Sequence, residues 1–201
     1  PASGGAPQDL CDAPDASGGA WSPDQGGTIV FGSPKGLFTV SAEGGKAAPL
    51  TELAQGETGH FWPSVLPDGR HVVYLAWSED AANRVLYAGT LGSKERTRLV
   101  AMESNPVYAP GYLFFHRKAT LFAQPFDAKQ LRFTGDPAHV ADEVSSGANG
   151  RGNFAVSQNG VLLYFQGVGS AGRGRAGQEQ FGWMRGRSGG IPDVDASFIA
   201  L

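Results

Sequence analysis

The sequence predicts an all-β fold: a β-propeller of about four to four and a half four-stranded antiparallel blades, forming part of a larger propeller. Three observations lead to this prediction. Turn residues recur at Asp24, Asp68, Pro110 and Asn159, with spacings of 44, 42 and 49 residues, and a period in the forties is a blade length. Short apolar runs of strand length follow each turn. The 30 Gly and 13 Pro among 201 residues indicate a compact, loop-rich chain.

A turn separates the first and second strands of each repeat. Proline presets φ at the second turn position, Asp or Asn supplies a side-chain acceptor, and Gly tolerates the positive φ of a tight hairpin. The sequence therefore predicts hairpin turns at residues 23–27, 67–70, 109–111 and 158–160. The apolar runs that follow, at 28–31, 71–75, 112–115 and 161–165, are predicted to be the second strands of their blades.

The other strands of each repeat come from the remaining apolar runs. Third strands are predicted at 37–40, 85–88, 121–126 and, on a weaker pattern, 181–184. Outer strands are predicted at 49–51, 98–100 and 139–141. Trp21 and Trp62 precede the first two turns, and we expect them at equivalent positions of first strands. Four short strands per unit is the architecture of a propeller blade.

These strands divide residues 1–201 into one partial propeller domain. It consists of the end of a preceding blade at 1–11, blades at 20–52, 60–100 and 104–141, an incomplete blade at 150–190 and a tail at 191–201. Residues 2–11 match residues 42–51 at a constant offset of 40, which predicts an outer strand at the start of the chain. An open arc exposes blade faces, so we expect self-association through them. The alternative is a four-bladed ring in which residues 1–11 complete the last blade.

Composition limits the classes of partner. A formal net charge of −3 is too balanced for nucleic acid or an acidic membrane to be the main partner. One cysteine excludes a disulfide framework and a cysteine-based zinc site. Apolar runs such as 161–165 are far shorter than the roughly 20 residues that span a bilayer. We therefore expect no nucleic-acid partner and no membrane contact by this segment.

The sequence contains no convincing catalytic, cofactor or metal motif. Residues 167–172 spell G-x-G-x-x-G, but a Gly/Arg-rich run follows them where a dinucleotide-binding site needs a helix. The same residues fail the G-x-S-x-G pattern of a hydrolase at its first position. The four histidines are scattered, without the i, i+4 pairing of a helical zinc site. We predict that the chain is not an enzyme and holds no cofactor or metal.

A ligand site is expected near the propeller axis, where the first strands begin. That end gathers residues from every blade, and repeat position selects His60, Trp62, Asn105, Arg151 and Asn153 as its candidates. They combine aromatic and hydrogen-bonding groups, which suits a few oriented polar contacts beside a stacking surface. Packing between blades explains the same residues, Trp62 above all.

The repeats resemble a known family. Trp21-Ser22-Pro23-Asp24 and the runs at 29–31, 37–45 and 50–51 are similar to the TolB-type, WD-like propeller repeat. The segments at 59–63, 66–70, 114–117 and 121–127 resemble more closely the C-terminal propellers of bacterial eukaryotic-like serine/threonine kinases. Three departures are the insertion at 25–27, the missing Asp at the third turn and the Gly/Arg-rich stretch at 167–180.

The resemblance implies an extracytoplasmic propeller, periplasmic or at the cell surface, attached to a membrane helix and a cytoplasmic kinase. The corresponding function is a non-catalytic sensor that binds a protein, a peptide or a small extracytoplasmic ligand. A competing hypothesis is a propeller that gates a peptidase or a glycan-active domain lying outside these residues. A purely structural role is the third hypothesis, because fold alone does not assign a ligand.

Overall fold

The computed structural model describes residues 8–22, 27–147, 149–167 and 180–185, the last as backbone only. These parts of the chain are almost entirely β-strands and turns. The strands are β1 (Gly19–Ser22), β2 (Thr28–Ser33), β3 (Gly36–Ser41), β4 (Ala48–Pro49), β5 (Gly59–Val65), β6 (His71–Trp77), β7 (Val85–Thr90), β8 (Arg96–Ala101), β9 (Val107–Ala109), β10 (Tyr112–Arg117), β11 (Thr120–Asp127), β12 (Arg132–Phe133), β13 (Ala138–Ala141), β14 (Phe154–Val156), β15 (Val161–Gln166) and β16 (Gln180–Arg185).

The strands form four successive antiparallel units, which we call blades 1 to 4. Blade 1 runs β1-β2-β3-β4 and blade 2 runs β5-β6-β7-β8. Blade 3 contains β9-β10-β11 with β12 and β13 on the outer edge of β11, and blade 4 contains β14-β15-β16. Helical structure in the described ranges is limited to one 3₁₀ turn, Ala81–Asn83. The prediction of an all-β, antiparallel fold is confirmed.

The predicted turns lie where Pro, Asp, Asn and Gly place them. Residues 67–70, 110–111 and 158–160 form turns or bends directly before β6, β10 and β15, while Ala109, the first residue of the third predicted turn, ends β9. Gly69, Gly111 and Gly160 have φ of 64°, 86° and 81°, a backbone region that glycine adopts without steric penalty. Of the first predicted turn, residues 23–26 lie outside the described residues. The φ preferences and side-chain hydrogen bonds of the turn residues act within a few residues, so the second strands begin where the turns predict.

The outer edges of blades 1 and 3 differ from the prediction, whereas β8 and β13 contain the predicted runs at 98–100 and 139–141. β4 has only two residues, Ala48–Pro49, because the proline cannot donate to a ladder. In blade 3 the long strand β11 accepts two partners on one edge: β12 pairs with its end and β13 pairs with its beginning. The sequence predicts β13 but not β12, whose two residues are too few for a recognisable pattern.

At the start of the chain, the structure describes only residues 8–11 of the predicted outer strand at 1–11, and these four are not in a strand. Instead, the Leu10 carbonyl accepts a hydrogen bond of 2.9 Å from the Gly45 amide, at the turn that follows β3. Asp12, Pro14 and Asp15 follow directly, and these residue types are poor strand formers. The tail at 191–201 lies outside the described residues.

The hydrophobic core lies between consecutive blades, at three junctions. Junction 1–2 buries Val30, Leu37, Leu50, Val72 and Tyr74. Junction 2–3 buries Trp62, Leu66, Val73, Leu75, Leu86, Ala88, Met102, Tyr108, Leu113, Phe115 and Phe126. Junction 3–4 buries Leu121, Ala123, Val140, Ala141, Val144, Phe154, Leu162 and Tyr164. Each blade is therefore stabilised mainly by its neighbours.

Blades 1 and 2 also touch through their backbones. Ser33 of β2 pairs with His60 of β5, which joins the two blades into one continuous sheet. At the neighbouring Gly32, an added Cβ would lie 2.6 Å from the His60 carbonyl oxygen and 2.8 Å from the Phe61 Cα. Only glycine fits at this close approach. In the described ranges, no helix has the length and apolarity that crossing a bilayer requires.

Candidate functional site

Three aromatic side chains meet at the start of blade 2, and we call Phe61, Trp62 and Trp77 the aromatic cluster. Gly59 pairs with Trp77, and the β5–β6 register shifts between Phe61 and Ser64. Trp62 lies in this bulge with φ of 51°, an uncommon conformation for a large side chain. The ring centroids are 5.9 Å apart for Phe61 and Trp62, 5.9 Å for Trp62 and Trp77, and 6.5 Å for Phe61 and Trp77.

Segments that precede the other three blades converge on this cluster. Before β1, an added Cβ at Gly18 would lie 2.9 Å from the Trp62 Cα. Before β14, an added Cβ at Gly150 would lie 3.2 Å from Cη2 of Trp77 and 3.6 Å from the Glu103 carbonyl oxygen, which belongs to the segment before β9. Both glycines have positive φ, 76° and 81°. The close packing therefore depends on residues without a side chain.

Arg84 adds a cation to the cluster. Its Cζ lies 3.5 Å from the centroid of the Trp77 ring, a cation–π contact, and its Nε donates a hydrogen bond of 2.9 Å to the Ser78 carbonyl. The guanidinium is half-buried, and no carboxylate in the described part of the chain forms an ion pair with it. Its two terminal nitrogens are thus free of a carboxylate partner, on a half-buried indole.

Three of the sequence-predicted residues lie on the segments that precede blades 3 and 4. Asn105 is buried, and its Oδ1 accepts a hydrogen bond of 2.8 Å from the Gly152 amide, linking the segments that precede blades 3 and 4. Asn153 donates from Nδ2 to the Ser145 hydroxyl at 3.0 Å. Arg151 is exposed. Trp62 belongs to the aromatic cluster, but it is only 5% exposed and packs in junction 2–3.

His60 lies away from these residues, in a buried polar network at junction 1–2. Its Nδ1 is 2.6 Å from the Thr51 hydroxyl and its Nε2 is 3.0 Å from the Glu57 carboxylate. Arg96 binds both carboxylate oxygens of Glu57, at 3.0 and 3.1 Å. We call Thr51, Glu57, His60 and Arg96 the polar clasp, because they join the end of blade 1 to the inner and outer strands of blade 2.

The protonation states in the clasp follow from its contacts. Burial lowers the pKa of His60, although the Glu57 carboxylate opposes that effect. Burial alone would raise the pKa of Glu57, but hydrogen bonds from Arg96, the Ala54 amide and His60 outweigh it, so this pKa lies below its ordinary value. An ionised Glu57 only accepts hydrogen bonds. Arg96 Nη1, which can only donate, lies 3.3 Å from Nε2, but the Glu57 carboxylate is closer at 3.0 Å. The closer contact assigns the proton of neutral His60 to Nε2, and Nδ1 accepts from the Thr51 hydroxyl.

The clasp has the order hydroxyl, imidazole, carboxylate, as in nucleophilic hydrolases. The clasp differs from such a site because a substrate cannot reach it: His60 is 0% exposed and Thr51 is 7% exposed. The Thr51 hydroxyl oxygen also accepts a hydrogen bond of 2.8 Å from the Leu37 amide. A substrate carbonyl has no path to that oxygen in this conformation. The contacts of the clasp fit a structural linkage between two blades.

Sequence reasoning missed three residues of the candidate site: Phe61, Trp77 and Arg84. Trp77 ends β6 and Arg84 follows a 3₁₀ turn, so only the fold brings them together. The expected equivalence of Trp21 and Trp62 is also wrong. Trp21 on β1 pairs with Ile29 on β2 and is 60% exposed, whereas Ser17 and Gly18, before β1, contact Trp62. The bulge at Trp62 breaks the repeat register, and the residues around it form no sequence pattern that predicts a bulge.

Within the described ranges, no group of three or more His, Cys, Asp or Glu residues is arranged to hold a metal ion. The candidate site therefore consists of the aromatic cluster and Arg84, with Asn105, Arg151 and Asn153 on the segments that precede blades 3 and 4. Its chemistry is stacking, hydrogen bonding and attraction of negative charge.

Several solved structures share the fold. TolB from Acinetobacter baumannii matches with a TM-score of 0.57 and 15% identity over 85% of this chain and 41% of its own. A gluconolactonase from Xanthomonas campestris matches with a TM-score of 0.57 and 16% identity over 88% of this chain and 61% of its own. Oligogalacturonate lyase from Vibrio parahaemolyticus matches with a TM-score of 0.52 and 15% identity over 75% of this chain and 45% of its own.

These similarities confirm the predicted β-propeller and its TolB-like type. At identities of 14–16% they show the fold alone. The chain spans 41–61% of the length of the three structures named above. No protein-family model and no curated protein sequence matches it.

Proposed function

We propose that this propeller segment is a non-catalytic recognition module, which binds a protein, a peptide or a small ligand at the aromatic cluster. One observation carries the proposal: the half-buried Phe61 and Trp77, with Arg84 stacked on the indole, lie where segments preceding three other blades converge. Aromatic and arginine side chains held by packing lose little conformational freedom on binding and dominate recognition surfaces.

The polar groups of the candidate site supply direction to such binding. Asn105 and Asn153 already have partners within the fold, so they hold the loops in place. Arg84 and Arg151 lack carboxylate partners among the described residues, so they are the groups that a ligand would engage. A ligand with an apolar or aromatic part and an acceptor group fits this arrangement.

The wider setting rests on the family resemblance. We propose that the chain is part of the extracytoplasmic propeller of a receptor-type serine/threonine kinase, in the periplasm or at the cell surface. The sequence segments at 59–63 and 114–127 support this assignment. Sequencing the flanking parts of the gene tests it: a kinase signature and a membrane helix upstream are expected, and a gene without them contradicts it.

Binding is tested by a thermal-shift screen of short peptides and oligosaccharides on the full propeller, since a ligand that binds only the folded state raises the melting temperature. Compounds that stabilise the wild-type protein are expected to lose the shift in Arg84→Gln and in Trp77→Leu. Arg117→Gln is the control, because Arg117 is an exposed arginine on blade 3 with a longer cation–π contact, 5.4 Å from the Phe115 ring. Equal shifts in all variants, or no shift with any compound, contradict the proposed site.

A second candidate is a propeller that forms or gates an enzyme. It is favoured by the enzymes among the structural neighbours, namely a gluconolactonase and oligogalacturonate lyases. Its discriminating sign is a peptidase or glycan-active domain in the flanking sequence, together with hydrolysis or cleavage by the full protein. Substitutions in the aromatic cluster would then change the choice of substrate.

A further inference from the structure

Arg84 is held in one position by its backbone and by its side chain. Its amide donates to the Ala81 carbonyl at 3.2 Å, and its carbonyl accepts from the Met102 amide at 3.1 Å. Its Nε donates to the carbonyl of Ser78, a residue that is only 5% exposed. Its guanidinium lies on the Trp77 ring. Because these four contacts already fix the side chain, Arg84 loses little conformational freedom when it binds a ligand.

The acidic side chain nearest to Arg84 along the chain is bound elsewhere. Asp80 caps the 3₁₀ turn: its Oδ1 accepts from the Ala82 amide at 3.0 Å, and its Oδ2 accepts from Nδ2 of Asn83 at 3.2 Å. Both carboxylate oxygens of Asp80 are thus engaged within the turn. Glu79 is exposed and forms no ion pair with any residue that the structure describes. The turn therefore leaves the charge of Arg84 unpaired.

The free edge of the guanidinium is the one that carries its two terminal nitrogens. A guanidinium can bind a carboxylate through Nε and one Nη, or through both Nη atoms. In Arg84 the first edge is occupied, because Nε already donates to the Ser78 carbonyl. Within the described ranges, Nη1 and Nη2 form neither a hydrogen bond nor an ion pair. Two coplanar donors of this kind match the two oxygens of one carboxylate.

The surroundings of Arg84 favour a carboxylate over a phosphate. The loop at 78–84 contains one arginine and two acidic residues, Glu79 and Asp80. A phosphate monoester carries close to two negative charges at pH 7, so these acidic residues repel it more strongly than they repel a carboxylate. The half-buried rings of Phe61 and Trp77 provide an apolar surface for the rest of the ligand.

We propose that the aromatic cluster takes ligands that carry a carboxylate beside an aromatic or apolar group. The two terminal nitrogens of Arg84 bind the carboxylate, and the apolar group lies against Phe61 and Trp77. This inference rests on the proposed recognition function and names the ligand chemistry of the same site. The carboxylate belongs either to a free peptide C-terminus or to an acidic side chain. Both form the same charge-assisted pair with a guanidinium.

Calorimetric titration of the full-length protein with N-acetyl-phenylalanine tests the proposal, and the neutral comparison ligand is N-acetyl-phenylalaninamide. The acid is expected to bind saturably and at least about tenfold more tightly than the amide, which lacks the charged partner of Arg84. N-acetyl-phenylalanyl-aspartate with an amidated C-terminus carries its carboxylate on a side chain. The tighter of the two acids identifies the source of the carboxylate. Equal affinity for acids and amide overturns the proposal, as does the absence of binding of either acid at millimolar concentrations.

Two substitutions of Arg84 define the contact. Arg84→Gln removes the charge, so acid and amide should bind with equal affinity. Arg84→Lys keeps the charge without the paired nitrogens, so the acid should bind severalfold more weakly than in the wild type. Arg117→Gln changes an exposed arginine of blade 3 and is the control that should keep the preference for the acid. A preference that persists in Arg84→Gln, or an equal loss in Arg117→Gln, overturns the proposal. Wild-type affinity in Arg84→Lys overturns the two-nitrogen contact.

Trp77→Leu separates this inference from the proposed function. It removes the ring on which the guanidinium lies, so acid and amide should both bind more weakly. If the amide binds as tightly as the acid and Trp77→Leu weakens both, the recognition site stands and the carboxylate inference fails. If Trp77→Leu changes neither affinity, the ligands bind elsewhere and both proposals are contradicted. Melting without ligand shows whether each variant folds, and Phe61→Leu replaces Trp77→Leu if that variant does not.

Discussion

Blade 2 is held by its two neighbours in different ways. Toward blade 3 it contributes to eleven buried apolar side chains, and the described residues include no ion pair there. Toward blade 1 the apolar cluster has five buried members, and the polar clasp lies beside it. One repeated architecture thus uses two kinds of interface.

The difference teaches what each interface contributes. Apolar burial stabilises in proportion to area and tolerates small shifts in geometry. A buried ion pair adds little net stability, because desolvation of the charges offsets their attraction, but losing one partner is strongly destabilising. Junction 2–3 should therefore carry most of the stability, and junction 1–2 should carry the dependence on geometry and pH.

The largest effect is expected at junction 2–3. Phe115 is 2% exposed and stacks on Phe122, so Phe115→Ala leaves a cavity and should lower the free energy of unfolding by about 3–5 kcal/mol. Urea unfolding measures it. Leu163→Ala on blade 4, where Leu163 is 43% exposed, is the control and should change stability by less than about 1 kcal/mol. Similar losses in both variants would refute the apolar account of this junction.

A smaller loss is expected when the clasp is broken. Glu57→Gln keeps the side-chain shape but leaves Arg96 without its carboxylate, which should lower the free energy of unfolding by about 2–3 kcal/mol. Glu52→Gln is the matched control at the same junction, because Glu52 pairs with Lys94 on the exposed surface. Its expected change is below about 1 kcal/mol. Equal effects would show that burial does not distinguish the two pairs.

Acid should weaken junction 1–2 before carboxylates protonate. The pKa of His60 is lowered from 6.5, so the unfolded chain binds a proton that the folded chain excludes, and stability falls as pH drops below about 6.5. The slope for one proton is at most about 1.4 kcal/mol per pH unit. Urea unfolding between pH 7 and pH 5 measures it, and His60→Gln should have a flatter profile. Identical slopes in wild type and variant would remove His60 from the pH response.

The pKa of Glu57 is lowered from 4.5, so its contribution is present above that value and disappears at lower pH. The two groups therefore act in separate windows, His60 first and Glu57 second. Extending the titration below pH 4.5 should reveal a second loss that Glu57→Gln lacks. A single loss shared by both proteins would contradict this order.

The smallest effect is expected at Tyr74, next to the clasp. Burial raises the pKa of Tyr74 to about 12, and a contact with the Arg96 side chain opposes that shift. The buried hydroxyl makes no well-formed hydrogen bond within the described ranges, so its contact with Arg96 is weak. Tyr74→Phe removes this weakly bonded group, so the free energy of unfolding should change by no more than about 1 kcal/mol in either direction. Differential scanning calorimetry resolves the change. A loss above about 1 kcal/mol would mean that the hydroxyl makes a contact that matters.

The local parts of the fold could be predicted from the sequence. Turns such as 67–70 act through φ preferences and side-chain acceptors within four residues, so β6, β10 and β15 were placed correctly. Among the outer strands, β8 and β13 were also predicted, but β4 is shorter than expected and β12 was not expected. β12 exists only because β11 is long enough to pair twice.

The residues of the proposed site could be predicted from the sequence only in part. Repeat logic selected residues where first strands begin, and Asn105 and Arg151 lie before β9 and β14. His60 was expected in the same place, but hydrogen bonds to Thr51 and Glu57 hold its side chain at junction 1–2 instead. Trp77 and Arg84 come into contact only in the folded chain, and the spacing of residues in the sequence does not predict such a contact.

The close approach at Gly32 restricts how this chain can evolve. Repeat proteins grow by duplicating units, and a copied unit can move only if its flanks accept a new neighbour. The backbone of blade 2 packs against residue 32 of blade 1, which has no side chain. A transplanted blade with any larger residue at that position would clash with the backbone of blade 2. Blades 1 and 2 should therefore be inherited, recombined and engineered as a pair.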